Sequence, residues 1–113
     1  MLVDPDLEEQ KRLQKLLCQF YGPLTVRCFA DPLLAVKYSA NNHVDALYAV
    51  TSMKRLNGFE LGRLVRGFQP NIKLNFIADD EQEKTDAMRM LADSCILRPV
   101  TADSLRRAAE SEW

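Results

Sequence analysis

The chain has one histidine, one tryptophan, four glycines and three cysteines in 113 residues, and each scarcity removes a class of chemistry. The single histidine, His43, has no partner at catalytic or ligating spacing and reads as a solvated loop residue. Cys18, Cys28 and Cys95 are odd in number, far apart and outside any CxxC or Cys/His spacing. They make neither a disulfide framework nor a zinc site, and are expected to be reduced and mostly buried, because a free cysteine behaves as a small hydrophobe. No run approaches the roughly 20 apolar residues that span a membrane. The start "MLVDPDLEEQ" lacks the basic and apolar regions of a signal peptide, so a cytoplasmic protein without membrane contact is expected. Fifteen basic residues against sixteen acidic ones leave a formal charge of -1, which gives no electrostatic case for direct nucleic-acid binding. No Gly- or Ser/Thr-rich phosphate cradle follows the first apolar run. The acids of "DPDLEEQ" would repel an anion at a helix start, so neither a nucleotide nor a flavin is expected. No cofactor and no metal follow from the composition.

What the chain does have is regular alternation. Leu2-Val3 reads as a strand, and Leu13, Leu16, Leu17 and Phe20 recur at helical spacing up to Gly22-Pro23. "LTVRCF", Leu24 to Phe29, alternates with the period of a strand. Asp31-Pro32 then supplies a cap and a first-turn proline for a helix to about Ser39. "ALYAV" is continuously apolar, as a strand covered on both faces must be. Leu61, Leu64, Val65 and Phe68 form one helical stripe ended by Pro70. "IKLNFI", "EQEKTDAMRML", "CIL" and "TADSLRRAAE" complete the series, with Thr101 as the last helix cap. Strict strand-helix alternation without repeat or linker predicts one α/β domain over residues 1–113, with a parallel sheet between two helical layers. The tyrosines Tyr21, Tyr38 and Tyr48 belong to the core or its edge.

In such a sheet the site lies beyond the carboxyl ends of the strands. That places Asp4 to Asp6, Val50 to Ser52, Ala78 to Asp80 and Arg98-Pro99 together. "LVDPD", "DALYAV…NGFEL", "NIKLNFIAD" and "CILRPVTADSLRR" fall in the order and spacing of a bacterial response-regulator receiver domain, and over essentially its whole length the chain resembles that family. The best anchors are Gly58, eight residues past Val50, and the Arg98-Pro99 pair, where receivers usually carry Lys-Pro. "CFADPLLAV" and "LRPVTADSLRR" look most like receivers attached to LytTR-type DNA-binding domains.

The resemblance implies a flavodoxin-like, CheY-like (βα)5 fold with strand order 2-1-3-4-5 and a candidate cis peptide at Pro99. It also sets requirements. A working receiver needs a phosphoacceptor aspartate, two further acids for Mg²⁺, a Ser/Thr and a lysine. Here Asp4 matches the first acid, and Pro5 stands at the second. Val50 stands at the acceptor position, Ala78 at the Ser/Thr position, Arg98 at the lysine, and Cys95 where an aromatic usually reports the switch. Asp45 lies five residues before Val50, about 16 Å of extended chain, at the opposite end of the sheet. Asp6 and Asp79 sit near the rim and replace nothing on the third strand.

The chain therefore reads as a pseudo-receiver and not an enzyme, a signalling or transcriptional module acting by protein contact without phosphorylation. The resemblance implies a homodimer or protein partner through the fourth helix, fifth strand and fifth helix, with Asp86, Arg89, Cys95, Asp103, Arg106 and Arg107 on that face. It also implies a DNA-binding output domain outside this chain. Two alternatives stand beside this reading: a small-ligand or ion sensor using the remodelled pocket, and a receiver still phosphorylated at a displaced acceptor. Arg98 is either a built-in cation pairing with Asp4 or Asp79, or a solvated arginine at the pocket mouth. Lys54, Arg55, Arg63 and Arg66 form a basic patch, read as a solvated face against the alternative of an anion or RNA site.

Overall fold

The computed structural model describes residues 1–22 and 26–110. Five strands alternate with five helices: β1 (Leu2–Val3), α1 (Leu7–Tyr21), β2 (Cys28–Phe29), α2 (Pro32–Asn41), β3 (Ala46–Val50), α3 (Gly58–Phe68), β4 (Lys73–Ala78), α4 (Glu81–Arg89), β5 (Ser94–Leu97) and α5 (Ala102–Glu110). All neighbours in the sheet run parallel, in the order β2-β1-β3-β4-β5. This is the doubly wound architecture that the alternation predicts.

The sheet separates two apolar layers, because successive strand side chains point to opposite faces. Leu2, Tyr48, Val50, Ile77 and Ile96 pack with Leu13 and Leu17 of α1 and Leu105 of α5. On the other face Val3, Leu47, Ala49, Leu74 and Phe76 meet Ala35, Leu61, Val65 and Ala87 of the remaining helices. Helix starts follow their caps. Asp6 Oδ1 accepts from the Glu8 and Glu9 N–H groups, and Asp31 Oδ1 from Leu33 N–H ahead of Pro32. Asn57 and Glu60 form a reciprocal capping box, and Thr101 Oγ1 accepts from Ser104 N–H at 3.1 Å.

Several expectations change. The six-residue second strand is only Cys28–Phe29 among the described residues, and Leu24 and Thr25 lie outside them. β1 itself has two residues, so only two rungs can form. The α3 stripe is rotated. Gly58, Leu61, Gly62 and Val65 are buried while Leu64 and Phe68 are about half exposed, because the small glycines let that side of the helix sit against β3 and Phe76. The fourth helix stops at Arg89, where Leu91 takes φ 60° and the Arg66 guanidinium binds the Met90 and Leu91 carbonyls at 2.8 and 3.3 Å. That contact removes Arg66 from a purely solvated patch, and Arg55 faces Asp31 at 3.6 Å. The cysteines are free but only half-buried, since each sits near an edge of the sheet or a helix flank. Tyr48 is core, while Tyr21 is exposed except for the hydrogen bond between the two phenols. His43 is exposed as expected but does have a partner, with Nε2 2.7 Å from Asp45 Oδ1, because both leave the same short loop before β3.

Candidate functional site

The ladders themselves assemble the carboxyl-end site. Val3 pairs with Ala49, so Asp4 emerges beside Val50, and Asp4 N–H donates to Phe29 O at 3.0 Å. Val50 pairs with Ile77, and the next rung is Thr51 N–H to Ile77 O at 3.0 Å. Ala78 pairs with Leu97, followed by Arg98 N–H to Ala78 O at 3.0 Å. Asp4, Val50, Ala78 and Arg98 thus stand along one edge. The Arg98-Pro99 peptide is cis. Gly58 closes the edge from the other side, its N–H donating to Thr51 O at 2.9 Å.

The side chains at this edge are mostly committed. Val50 is 1% exposed and belongs to the apolar layer under α1 and α5. Asp6 spends its Oδ1 on the α1 cap, and Asp80 does the same for α4 through Glu83 N–H at 2.9 Å. Glu83 in turn accepts from Asp79 N–H at 3.2 Å. Arg98 Nε lies 3.3 Å from Asp79 Oδ1, which settles its partner: Asp79 and not Asp4. The Asp79 side chain is half in water, so this pair is worth at most about 1 kcal/mol.

Asp4 is the exception. It is 1% exposed; Oδ1 accepts from Asp6 N–H at 2.9 Å, whereas Oδ2 is buried with no hydrogen-bond partner among the described residues. Burial pushes its carboxyl above the usual range, opposed by the Asp6 N–H and by the Arg98 charge. The hydroxyl of Thr51, 3% exposed, is likewise buried and without a partner among the described residues. Sequence reasoning named Thr51 only as part of the loop; its direct position after Val50 was the available signal. It also missed Glu9 and Arg12 at the rim, where Arg12 binds both Glu9 and, at 2.7 Å, Val100 O. That tether joins α1 to the loop before α5, and no local pattern announces it.

The residues at this edge do not fit a divalent cation. Mg²⁺ asks for near-octahedral oxygen ligands with one or more carboxylates, and Pro5 and Val50 supply none. Among the described residues no three His, Cys, Asp or Glu side chains gather around a common point. Asp4 alone, with one oxygen already occupied, does not make a Mg²⁺ site.

Asp4 makes folding depend on pH in a definite direction. Its native carboxyl holds a proton over an interval above 3.8 where the unfolded chain has released it, so stability is full at low pH and falls as pH rises through the native value. Asp4→Asn keeps the acceptor for Asp6 N–H and removes the charge. Relative to the wild type, the variant is expected to gain stability as pH rises from 3 and to level off once native Asp4 has released its proton, in urea titrations at constant ionic strength; parallel curves would contradict it.

The expected α4–β5–α5 face is split by the structure. Lys84, Cys95, Pro99, Ser104 and Arg107 line a cleft of about 450 Å³ there, and burial pushes the Cys95 thiol up to about 11. Asp86 and Arg89 lie on the opposite flank of α4, with Phe59 and Arg63 of α3. They leave the expected face because the helix turns them toward α3. Asp103 is paired with Arg106 and, at 3.2 Å, with Arg107, so these charges already satisfy one another.

The chain matches no protein-family profile and no curated protein. Its fold has many solved counterparts. A response regulator receiver domain from Clostridium thermocellum superposes with TM-score 0.82 at 20% identity, covering 96% of this chain and 88% of that one. The chemotaxis response regulator CheY4 of Vibrio cholerae gives 0.82 at 16%, covering 96% and 92%. A Francisella response regulator receiver domain gives 0.77 at 18%, covering 96% and 91%. The shared property is the fold, a CheY-like flavodoxin arrangement.

Proposed function

We propose that this chain is a receiver-like regulatory module that signals without aspartyl phosphorylation, not an enzyme, working in the cytoplasm within a two-component type of pathway. One observation carries the reading: a fully buried valine, packed into the apolar layer, occupies the end of β3 where a receiver presents its acceptor. A hydrocarbon forms no acyl phosphate in any protonation state. Pro5, Ala78 and the Arg98–Asp79 pair depart alongside it, so the loss extends well beyond the acceptor and leaves Asp4 as the retained acid. Output then runs through surfaces. The cleft lined by Cys95 and Arg107 suits a second copy or an attached domain, and the resemblance of "CFADPLLAV" and "LRPVTADSLRR" points to DNA-binding output of the LytTR type beyond this chain.

Incubation with acetyl phosphate and Mg²⁺ followed by intact-mass spectrometry tests this. The mass is expected to remain unchanged; a hydroxylamine-sensitive gain of one phosphoryl group on any aspartate overturns the proposal in favour of a displaced acceptor. A second reading, a sensor binding a small ligand at the carboxyl edge, is favoured by the partnerless Asp4 Oδ2 and Thr51 Oγ1. A thermal-shift screen with Mg²⁺, phosphate, nucleotides and metabolites addresses it.

A further inference from the structure

The amino end of the sheet, opposite the carboxyl-end site, holds a second cavity of about 450 Å³ between α1, α2 and the start of β3. That volume suits a small organic ligand, for which pockets are apolar with a few placed polar groups. Its walls are Leu17, Val44 and the rings of Tyr21, Tyr38 and Tyr48. Three features define what would fit. The Arg27 guanidinium stands 6.0 Å from the centre of the Tyr38 ring, a cation-π placement at the cavity wall. Among the described residues Arg27 meets no carboxylate, whereas the cavity's own acid, Asp45, is already engaged by His43. The Tyr21 and Tyr48 hydroxyls bond to each other. Each phenol carries one proton and only one can lie between them, so the pair has a proton left for a further acceptor.

We infer that this cavity is a binding site for a small carboxylate with an apolar ring. The ring fills the space between the tyrosines and Leu17. One carboxylate oxygen meets Arg27, which binds such groups with charge-assisted geometry, and the other accepts from the phenol pair. The site shares no residue with the carboxyl edge.

Titration of the full chain with phenylacetate, followed by ¹H–¹⁵N correlation spectra, tests it, with phenylacetamide as the neutral counterpart. Saturable shifts are expected at the amides of residues 44–46 and at Arg27. Arg27→Gln, an exposed change that leaves the core intact, is expected to weaken binding about tenfold or more, and phenylacetamide to bind about tenfold more weakly than phenylacetate. The double variant Tyr21→Phe with Tyr48→Phe removes both hydroxyls while keeping the rings, and is expected to weaken phenylacetate binding while keeping the dispersion of the spectrum, whereas Tyr48→Phe alone leaves the Tyr21 proton free to donate; unchanged binding by the double variant would overturn the role of the phenol pair. Absence of saturable shifts, equal binding by Arg27→Gln or by the amide, or shifts confined to Asp4 and Arg98 would overturn the proposal.

Discussion

Val50→Asp is expected to cost about 4–6 kcal/mol at pH 7, against a total of about 5–15 for a domain of this size. Two contributions add. The valine side chain is fully buried among Leu2, Leu13 and Ile77, and its loss from that layer forfeits about 1.5–3 kcal/mol. The new carboxyl enters an apolar surrounding beside Asp4, which is itself buried and raised, so it escapes only by taking a proton, at about 1.4 kcal/mol per unit of raised pKa. The sign with pH follows: the penalty is smallest below about pH 4 and grows as pH rises through the raised native value. Urea titrations at pH 3.5 and 7 check both the size and the slope. Mg²⁺ is expected to leave Val50→Asp unrescued, because Pro5 supplies no second acid. The double variant Pro5→Asp with Val50→Asp is expected to regain stability in millimolar Mg²⁺. If the single variant were as stable as the wild type at neutral pH, the buried, committed description of Val50 would be wrong.

The second large effect lies at Gly58. A Cβ there would stand 2.3 Å from Val50 O and 2.9 Å from Thr51 Cα, all backbone, with no side chain able to turn away. Gly58→Ala must push α3 off the end of β3 and break the 2.9 Å bond from Gly58 N–H to Thr51 O. The expected cost is about 3 kcal/mol, at the upper end for overpacking. Gly67, on the same helix, has nothing within 4 Å of an added Cβ. Gly67→Ala is therefore expected to stabilise by about 0.5–1 kcal/mol, through reduced chain entropy in a helix. Equal changes in the two variants would show that helix propensity, not the close approach to β3, sets the requirement for glycine at position 58.

The elements most legible in the sequence are those whose signal is local. Caps such as Asp31-Pro32 and Thr101 mark helix starts within four residues, and the continuous run "ALYAV" marks a strand with both faces covered. Once strand ends are located, Val50 and Arg98 fall at the carboxyl edge by counting. What depends on a partner was less legible. "LTVRCF" has strand periodicity, but its pairing is capped by a two-residue β1. The apolar positions of α3 could not reveal that Gly62 against Phe76, rather than Leu64, faces the sheet. The choice of Asp79 over Asp4 by Arg98 goes with burial: the Asp79 side chain is half exposed where the Arg98 guanidinium reaches it, while Asp4 is enclosed. Arg12 to Val100 spans 88 residues of sequence, and no pattern in either segment encodes it.

The Arg98–Asp79 pair has a consequence in time. A contact made by a phosphoryl group can be erased by hydrolysis, whereas the two partners of a side-chain pair are part of the polypeptide and stay available to re-form it as long as the chain exists. On the proposed function, no cycle of phosphorylation and hydrolysis resets this domain. Its output would follow dosage, rising with translation and falling with proteolysis, and a cell would tune it by how many copies it keeps.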